Sequence, residues 1–327
     1  MKLSATELPS LAASANLAPS VHNTQPTRWR LADDGALWLT VDPTRQLSIG
    51  DATGRDLRVS LGAALEGTAL ALAERGLGIG RIDYPEALPS ARIELNDRAV
   101  DDPLVLQMPH RLTWRKGFAT AAADHTQALA AWAVRSRDII AVAGSTEIAF
   151  ISGLNERTSL AFYRNAAYRH ELVSWMRLSR ANPRFGIDGL SAPAMGLSGL
   201  EAFGAGIILR DPTFGLLDSI GLIGNLISEH RRTASAAAIL LFHRPVEEHP
   251  IETGRALYRR LLELSALGFQ TWPMAVLADG PEATAELKAR YGIAEDRRLI
   301  TAWRTGMLPA GAMVRRERLP AAALIGQ

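Results

Sequence analysis

Apolar residues recur every three or four positions in several parts of the chain, a spacing typical of amphipathic helices. Near the start, Leu8, Leu11 and Ala15 form such a stripe behind Thr6, a residue type that caps helices. The same pattern predicts helices over 56–75, 126–135, 214–230, 254–267 and 281–290, and two helices within 147–180. Gly62 lies inside the predicted helix 56–75, where glycine lowers helix stability by roughly 1 kcal/mol relative to alanine. We therefore expect a close contact with another helix at this position.

Short runs of β-forming residues predict strands over 36–41, 91–95, 205–209, 236–242 and 299–303, the first of them behind a hairpin turn at 33–35. Residues 182–206 are rich in Gly, Pro, Ser and Ala without clear periodicity, and their length suggests a lid-like segment over a site. No fixed-period repeat is visible. The order of elements predicts an α+β fold, in which an antiparallel or mixed sheet core is covered by helices.

Composition narrows the possible partners. The 327 residues include 36 Lys and Arg against 34 Asp and Glu, a net charge of +2, which gives no electrostatic footprint for nucleic acid. The absence of cysteine excludes a disulfide framework and fits a reducing compartment, so we expect a cytoplasmic protein. The seven histidines lack zinc-type spacing, so no metal is expected. We see no signal peptide, and the longest apolar run is too short to cross a bilayer, so no membrane partner is expected.

A polar loop between a predicted helix and a predicted strand is the first candidate site. It reads Ala18-Pro19-Ser20-Val21-His22-Asn23-Thr24-Gln25-Pro26 and is called the anchor loop below. Proline stiffens both ends, and hydroxyl, amide and imidazole groups lie between them. Such a loop suits a polar, flat ligand, but Ser and Asn are also common in ordinary turns. The loop alone leaves both interpretations open.

Two arginine clusters far apart in sequence form the second candidate. The first contains Arg111, Arg115 and Lys116, with Thr113 among them, and the second contains Arg315, Arg316 and Arg318. An arginine fork binds phosphate bidentately. Taken singly, each cluster is better explained as a solvated charged turn or a frayed tail, but the neighbouring residues favour phosphate binding. The first cluster precedes a predicted helix, whose N-terminal amides attract anions, and the second ends in Leu-Pro, which indicates a docked tail.

Two sharper motifs are rejected. Gly76-Leu77-Gly78-Ile79-Gly80 resembles a dinucleotide loop, but it follows a helix and has the wrong spacing, so a helix exit is favoured. Gly196-Leu197-Ser198-Gly199 approaches a nucleophile elbow, but Leu200 stands where the second glycine belongs. A serine hydrolase is therefore not predicted.

Four stretches together resemble the nitroreductase-like FMN-dependent flavoproteins, in particular the fused Acg-like subgroup. The anchor loop resembles the family motif A-P-S-x-x-N-x-Q-P-W, and the stretch 111–115 resembles its R-x-S/T-x-K/R flavin loop. Residues 266–274 resemble the helix exit that passes over the flavin ring, and residues 316–320 resemble the terminal K/R-x-R-x-P phosphate clamp. The four stretches stand in family order.

The resemblance implies an FMN cofactor, NAD(P)H as a possible electron donor and a role for each matching residue. Arg111, Thr113, Arg316 and Arg318 would hold the 5′-phosphate, and Arg115 would lie at the pyrimidine edge as a flavin-tuning cation. The anchor loop would contact the flavin through Pro19, Ser20, Val21, His22, Asn23 and Gln25. The backbone amides near Met274 and Ala275, behind Pro273, would donate to the flavin ring. No catalytic side chain is implied beyond the flavin itself.

The distribution of the motifs implies two fused halves. In the ordinary family each flavin site lies at a homodimer interface, where one subunit supplies both phosphate clamps and the other supplies the Ser/Asn loop. Here the anchor loop lies in the first third and both clamps follow residue 110. We therefore predict unequal halves, 1–108 and 109–327, that mimic the dimer and build one FMN site, so that the chain can act as a monomer.

The implied activity is reduction of a nitroaromatic, quinone-like or enone substrate by NAD(P)H through the flavin. Two departures from the family pattern keep alternatives open. Thr27 replaces the family tryptophan, and Ala275-Val276 replaces an acidic residue and a glycine. The chain could therefore be a flavin-binding or storage protein with little turnover. It could also be a specialised flavin enzyme of the same fold, such as a dehalogenase, a dehydrogenase or a flavin-cleaving enzyme.

Overall fold

Two four-stranded antiparallel sheets form the framework of the computed structural model, which describes residues 2–85, 88–313 and 316–326. The strands are β1 Thr27–Leu31, β2 Leu37–Val41, β3 Gly78–Asp83, β4 Ser90–Asn96, β5 Ile139–Val142, β6 Met176–Arg177, β7 Leu190–Ser191, β8 Ala238–Pro245, β9 Phe269–Pro273 and β10 Arg297–Met307. The helices are α1 Leu8–Ala15, α2 Arg55–Ala73, α3 Ala123–Arg135, α4 Ser145–Arg164, α5 Ala166–Trp175, α6 Gly199–Ile208, α7 Thr213–Ser219, α8 Ile223–Leu226, α9 His230–Ala234, α10 Pro250–Ala266, α11 Val276–Asp279 and α12 Pro281–Tyr291.

The first sheet has the strand order β1-β2-β4-β3, and α1 and α2 cover its buried face. Alternate residues of β2, such as Leu37 and Leu39, are fully buried against this layer, as the period of a half-buried strand requires. The end of the chain returns to the same core. Leu319 and Leu324 are buried in it, and Ile325 pairs with Trp29 of β1. The predicted docking of the tail is confirmed.

The second sheet has the order β5-β8-β10-β9 and is covered on both faces. Successive residues of β8 serve opposite cores: Ile239 and Leu241 face α4, α11 and α12, whereas Leu240 and Phe242 face α3 and α10. This alternation explains why β8 reads as a continuous apolar run in the sequence.

Helices α2 and α10 join the two sheet units through a reciprocal glycine contact. A Cβ on Gly62 would lie 1.9 Å from the carbonyl oxygen of Ile251, and a Cβ on Gly254 would lie 2.0 Å from that of Val59. Each glycine therefore lies against the backbone of the residue that stands three positions before the other glycine. This mutual contact brings the backbones of the two helices close together. The close helix contact expected at Gly62 is confirmed.

The predicted α+β class, with antiparallel sheets covered by helices, is confirmed. Two local predictions are wrong. Residues 205–209 lie in α6 and its end rather than in a strand, because Ser198 and Glu201 form a capping box that starts a helix there. The predicted helix 214–230 is divided into α7, α8 and the start of α9, and Gly221 adopts a positive φ of 72° between the first two. Within the described ranges, no helix is both long and apolar enough to cross a membrane.

Candidate functional site

A cavity of about 410 Å³ lies where the anchor loop meets the arginine-bearing segment 111–115. A smaller cavity of about 90 Å³ shares part of its lining. Both are lined by Pro19, Ser20, Arg111, Thr113 and Arg115. The smaller cavity adds Asn23, Arg316 and Arg318, and the larger adds Val21, His22, Pro273, Met274 and Ala275. Residues predicted from four distant stretches therefore line two cavities that share a wall.

The anchor loop is held in a strained backbone conformation. His22, Asn23 and Gln25 have positive φ values of 44°, 55° and 51°. For non-glycine residues this region costs on the order of 1–3 kcal/mol each, and such strain clusters at functional sites. The strain turns the backbone so that His22 faces the larger cavity and Asn23 faces the smaller one.

Gln25 supports the loop from behind and lines neither cavity. Its side-chain oxygen accepts from Asn16 Nδ2 at 2.8 Å and from the Leu319 amide at 2.7 Å, while its Nε2 donates to the Ile187 carbonyl at 2.9 Å. This buried amide thus joins the end of α1, the tail and the segment before β7. Its geometry is that of a positioning residue for the loop.

Two residues that the sequence reasoning missed complete this support. Arg45 donates to the Thr24 carbonyl at 2.6 Å and to Asp188 Oδ2 at 3.1 Å. Asp188 is fully buried and also accepts from Arg177 and Arg184. Arg45 and Asp188 are 143 positions apart, so no local sequence pattern could predict their ion pair.

Three arginines converge on the smaller cavity. Arg111 and Arg318 donate to the same carbonyl oxygen, that of Leu17, at 3.1 and 3.0 Å. Arg316 donates to the carbonyl of Arg111 at 2.6 Å, and Arg318 also donates to Asn23 Oδ1 at 3.1 Å. Across residues 2–85, 88–313 and 316–326, none of the three forms an ion pair within 4 Å, although the buried carboxylate of Glu317 lines the same cavity. Arg315, part of the predicted second cluster, lies outside the described residues.

The electrostatics of these arginines favour an anion. Burial lowers the pKa of Arg111 to about 10 and that of Arg318 to about 9, and the mutual repulsion of the guanidinium groups adds to both shifts. Arg111 is only 4% exposed, and its Nε is buried without a hydrogen-bond partner among the described residues. A bound anion would compensate this charge and offer an acceptor to the unused N–H.

The first arginine cluster is positioned by strands rather than by a helix N-terminus, which corrects the sequence interpretation. Trp114 N donates to the Thr271 carbonyl of β9 at 2.9 Å, and Ala119 N donates to Met307 of β10 at 3.0 Å. Helix α3 begins only afterwards, at Ala123. The segment therefore runs along the edge of the second sheet, where Arg115 donates to the Ala194 carbonyl at 3.1 Å.

At the end of β9 the chain turns along the larger cavity. The Met274 amide donates to the Ala302 carbonyl at 2.7 Å, so it is already engaged. The next amide, that of Ala275, makes no hydrogen bond within the described residues. Of the two amides predicted to face a flavin ring, Ala275 is thus the one that can donate.

The segment 182–206 covers part of the cavity. Leu190 and Ala194 line the smaller space, and Leu190, Met195 and Leu197 line the larger one. The segment is held by the β6-β7 pair and by the bond of the Gly189 amide to the Asn23 carbonyl at 3.3 Å. The segment therefore forms part of the cavity wall beside the anchor loop.

His22 gives the site a measurable pH dependence. Burial, with a smaller contribution from Arg115, lowers the pKa of His22 to about 4 from an ordinary 6.5. The unfolded chain therefore binds a proton below pH 6.5 that the folded chain refuses, so stability falls as the pH drops from 6.5 to 4. We expect His22→Asn, which tolerates a positive φ, to lose part of this decrease between pH 7 and pH 5 in urea unfolding.

Asp279, whose pKa burial raises to about 6, titrates in the same window but is present in both proteins, so the comparison removes its contribution. An identical loss of stability in parent and variant would show that His22 does not stay neutral in the folded chain.

No family model matches the chain. The candidate NAD(P)H nitroreductase Rv3131 of Mycobacterium tuberculosis is 36% identical over 110 residues, which cover 31% of this chain and 31% of that protein. The candidate NAD(P)H nitroreductase acg of the same organism is 29% identical over 174 residues, which cover 48% and 50%. The chain is related to these nitroreductase-like proteins.

The resemblance to the Acg-like subgroup, inferred from the four motifs, is thereby confirmed as a sequence relation. The matched segments span only about one third and one half of the two relatives. Among solved structures, a nitroreductase with bound FMN from Bacteroides fragilis aligns with 66% of this chain and 94% of its own, with 14% identity and a TM-score of 0.35.

Proposed function

We propose that the chain binds FMN, with the phosphate held by the three converging arginines. The observation that carries the proposal is the convergence of Arg111, Arg316 and Arg318 on the smaller cavity, where the arginines outnumber the carboxylate of Glu317 among the described lining residues. The orphaned Nε of Arg111 and the hydroxyl of Thr113 suit a phosphate, whose oxygens accept several charge-assisted hydrogen bonds. The residues present therefore fit the phosphate end of a flavin mononucleotide.

The larger cavity suits the flat ring system of the same molecule. Pro19, Ser20 and Val21 would contact it from the anchor loop, and the Ala275 amide would donate to its edge. Arg115 would place a positive charge beside the pyrimidine edge and favour negative charge there. When bound, FMN supplies hydride chemistry, while these residues bind it, orient it and exclude water.

We infer an FMN-dependent oxidoreductase that uses NAD(P)H to reduce a nitroaromatic, quinone-like or enone small molecule. The names of the two sequence relatives support this activity, and the roomy, mostly apolar cavity supports an aromatic acceptor. The leading alternative is a flavin-binding or storage protein. Two observations favour that alternative: the segment 182–206 covers the cavity, and Ala275-Val276 stands where the family has an acidic residue and a glycine.

We further propose that 1–108 and 109–327 are two halves of a fused pseudo-dimer, which builds one site per chain. The reciprocal contact of Gly62 and Gly254 supports an internal two-fold relation, and each half contributes one four-stranded sheet. The tail, by chain order in the second half, packs into the core of the first. The halves therefore share both a core and a site, which suits a functional monomer.

The experiment that tests the function is cofactor release followed by turnover. We expect the purified protein to be yellow and to release FMN at one per chain. Without oxygen, it should oxidise more than one equivalent of NADPH or NADH per flavin only when an acceptor such as menadione is added. FMN-saturated protein that leaves NAD(P)H unoxidised with every acceptor would replace the oxidoreductase by the storage alternative. Protein that neither retains nor binds added FMN would overturn the cofactor assignment.

A further inference from the structure

A second group of arginines lies at the larger cavity. Arg232 of α9 and Glu229, which directly precedes this helix, both line the cavity, as does Arg115. Glu229 lies 3.4 Å from Arg232 and, through its Oε2, 3.7 Å from Arg304 of β10. Arg304 in turn donates to the backbone carbonyl of Arg115 at 3.3 Å. These four residues are called the Glu229 cluster below.

The Glu229 cluster contains three guanidinium groups and one carboxylate. Arg304 is fully buried and stacks on Trp272, with its guanidinium carbon 4.2 Å from the ring centroid, so water does not screen its charge directly. Burial lowers the pKa of Arg304 to about 10, and repulsion from Arg232 and Arg115 adds to this shift although Glu229 opposes it. The positive charge of the cluster is therefore only partly compensated.

The neighbouring carboxylates have cationic partners of their own. Asp56, which also lines the larger cavity, accepts from Arg55 at 3.1 Å. Glu201 of α6 is exposed and lies near Lys116 as well as Arg232, so a further cation offsets its charge. The excess of positive charge therefore remains with the cluster.

Two guanidinium groups of the cluster keep N–H donors for a ligand. An arginine side chain carries five such donors. Within the described ranges, the guanidinium of Arg115 donates only to the Ala194 carbonyl, and that of Arg232 donates only to Glu229. Both arginines are half-buried residues of the cavity wall, so an incoming group can reach them. A carboxylate matches the fork geometry and the charge of such side chains.

We propose that the Glu229 cluster binds the carboxylate of an anionic aromatic acceptor, held by Arg232 and Arg115. The inference rests on the proposed function and narrows its substrate class to acceptors that carry a carboxylate. Because Arg304 connects the cluster to the backbone of Arg115, a carboxylate bound there anchors the acceptor beside the segment proposed to contact the flavin.

A matched pair of ligands tests the proposal by isothermal titration calorimetry on the FMN-loaded protein at pH 8. The ligands 4-nitrobenzoate and 4-nitrobenzamide share the ring and the nitro group but differ in charge. We expect the benzoate to bind roughly tenfold more tightly. Arg232→Gln should reduce this ratio to about threefold or less. Arg231→Gln removes the same charge from an exposed neighbouring position and should leave the ratio unchanged.

Glu229→Gln tests the cluster in the opposite direction. It removes the carboxylate of the cluster at nearly constant shape, so the preference for the benzoate should rise about threefold above that of the parent. Equal binding of the two ligands by the parent, or an unchanged ratio in folded Arg232→Gln protein, would overturn the proposal. If Arg232→Gln does not fold, a ratio that fails to rise in Glu229→Gln overturns it equally.

The flavin absorbance of each sample separates the two levels of inference. A parent that binds no FMN contradicts the proposed function. The effect of Arg232→Gln on the ratio still reports on the cluster in that case, because Arg232 lines the larger cavity rather than the smaller one.

Discussion

Replacing Arg111 and Arg318 together by alanine will weaken FMN binding by roughly 10²- to 10⁴-fold. Each guanidinium loses charge-assisted hydrogen bonds to phosphate, which are worth about 1.5–3 kcal/mol apiece. The two side chains share the Leu17 carbonyl and face the same small cavity, so no third group described there can take over both contacts. The measurement is a titration of the apoprotein with FMN, in which quenching of the flavin fluorescence reports binding.

Two further variants make the result specific. Arg231→Ala removes an exposed arginine elsewhere and should leave FMN affinity unchanged. Arg318→Lys keeps the charge but loses the fork that reaches Asn16, Leu17 and Asn23, so we expect an intermediate loss of roughly tenfold. FMN affinity that survives in a folded double variant would place the phosphate somewhere other than among these arginines.

Gly62→Ala should lower the free energy of unfolding by about 3 kcal/mol, the largest single-residue effect that we expect on stability. The added methyl group would lie 1.9 Å from the carbonyl oxygen of Ile251, a backbone atom that cannot rotate away. Relief requires α2 and α10 to separate along the contact that joins the two sheet units. Urea unfolding followed by circular dichroism measures the loss, and Gly254→Ala should reproduce it from the opposite helix.

Gly153→Ala provides the matched control. Gly153 lies within α4, and a Cβ there would be 3.5 Å from the flexible end of Arg157, an ordinary contact distance. Alanine at this position should stabilise the protein by about 0.5–1 kcal/mol through reduced backbone entropy of the unfolded chain. If Gly62→Ala proved as harmless as this control, the helix crossing would be looser than described and the pseudo-dimer proposal would lose its main support.

The parts of the fold that followed from sequence are those with strong local signals. Helix α2 carries a long apolar stripe ending at Gly76, and β8 is a continuous apolar run. In contrast, β1 was missed because its five residues, Thr-Arg-Trp-Arg-Leu, contain only two apolar positions, too short a signal although Trp29 is completely buried. The apolar run at 205–209 fits a strand as well as a helix, and it is helical because the capping box at Ser198 starts a helix upstream of it.

The candidate site shows the same division. The anchor loop and the arginine clusters were recognised because their residue types and order match a family motif, and the structure brings them around one cavity. The supports of the loop were invisible, because Arg45 and Asp188 meet only through the fold.

The returning tail has a consequence for biosynthesis. Asn23 Nδ2 donates to the carbonyl of Glu317 across 294 positions of sequence, and Leu319 packs into a core built mostly from the first hundred residues. During synthesis, the core of the first sheet can therefore be completed only after almost the entire chain has been translated. Such high contact order slows maturation and leaves a nascent apolar face for chaperones. Cofactor capture can then occur only on chains translated through Arg318.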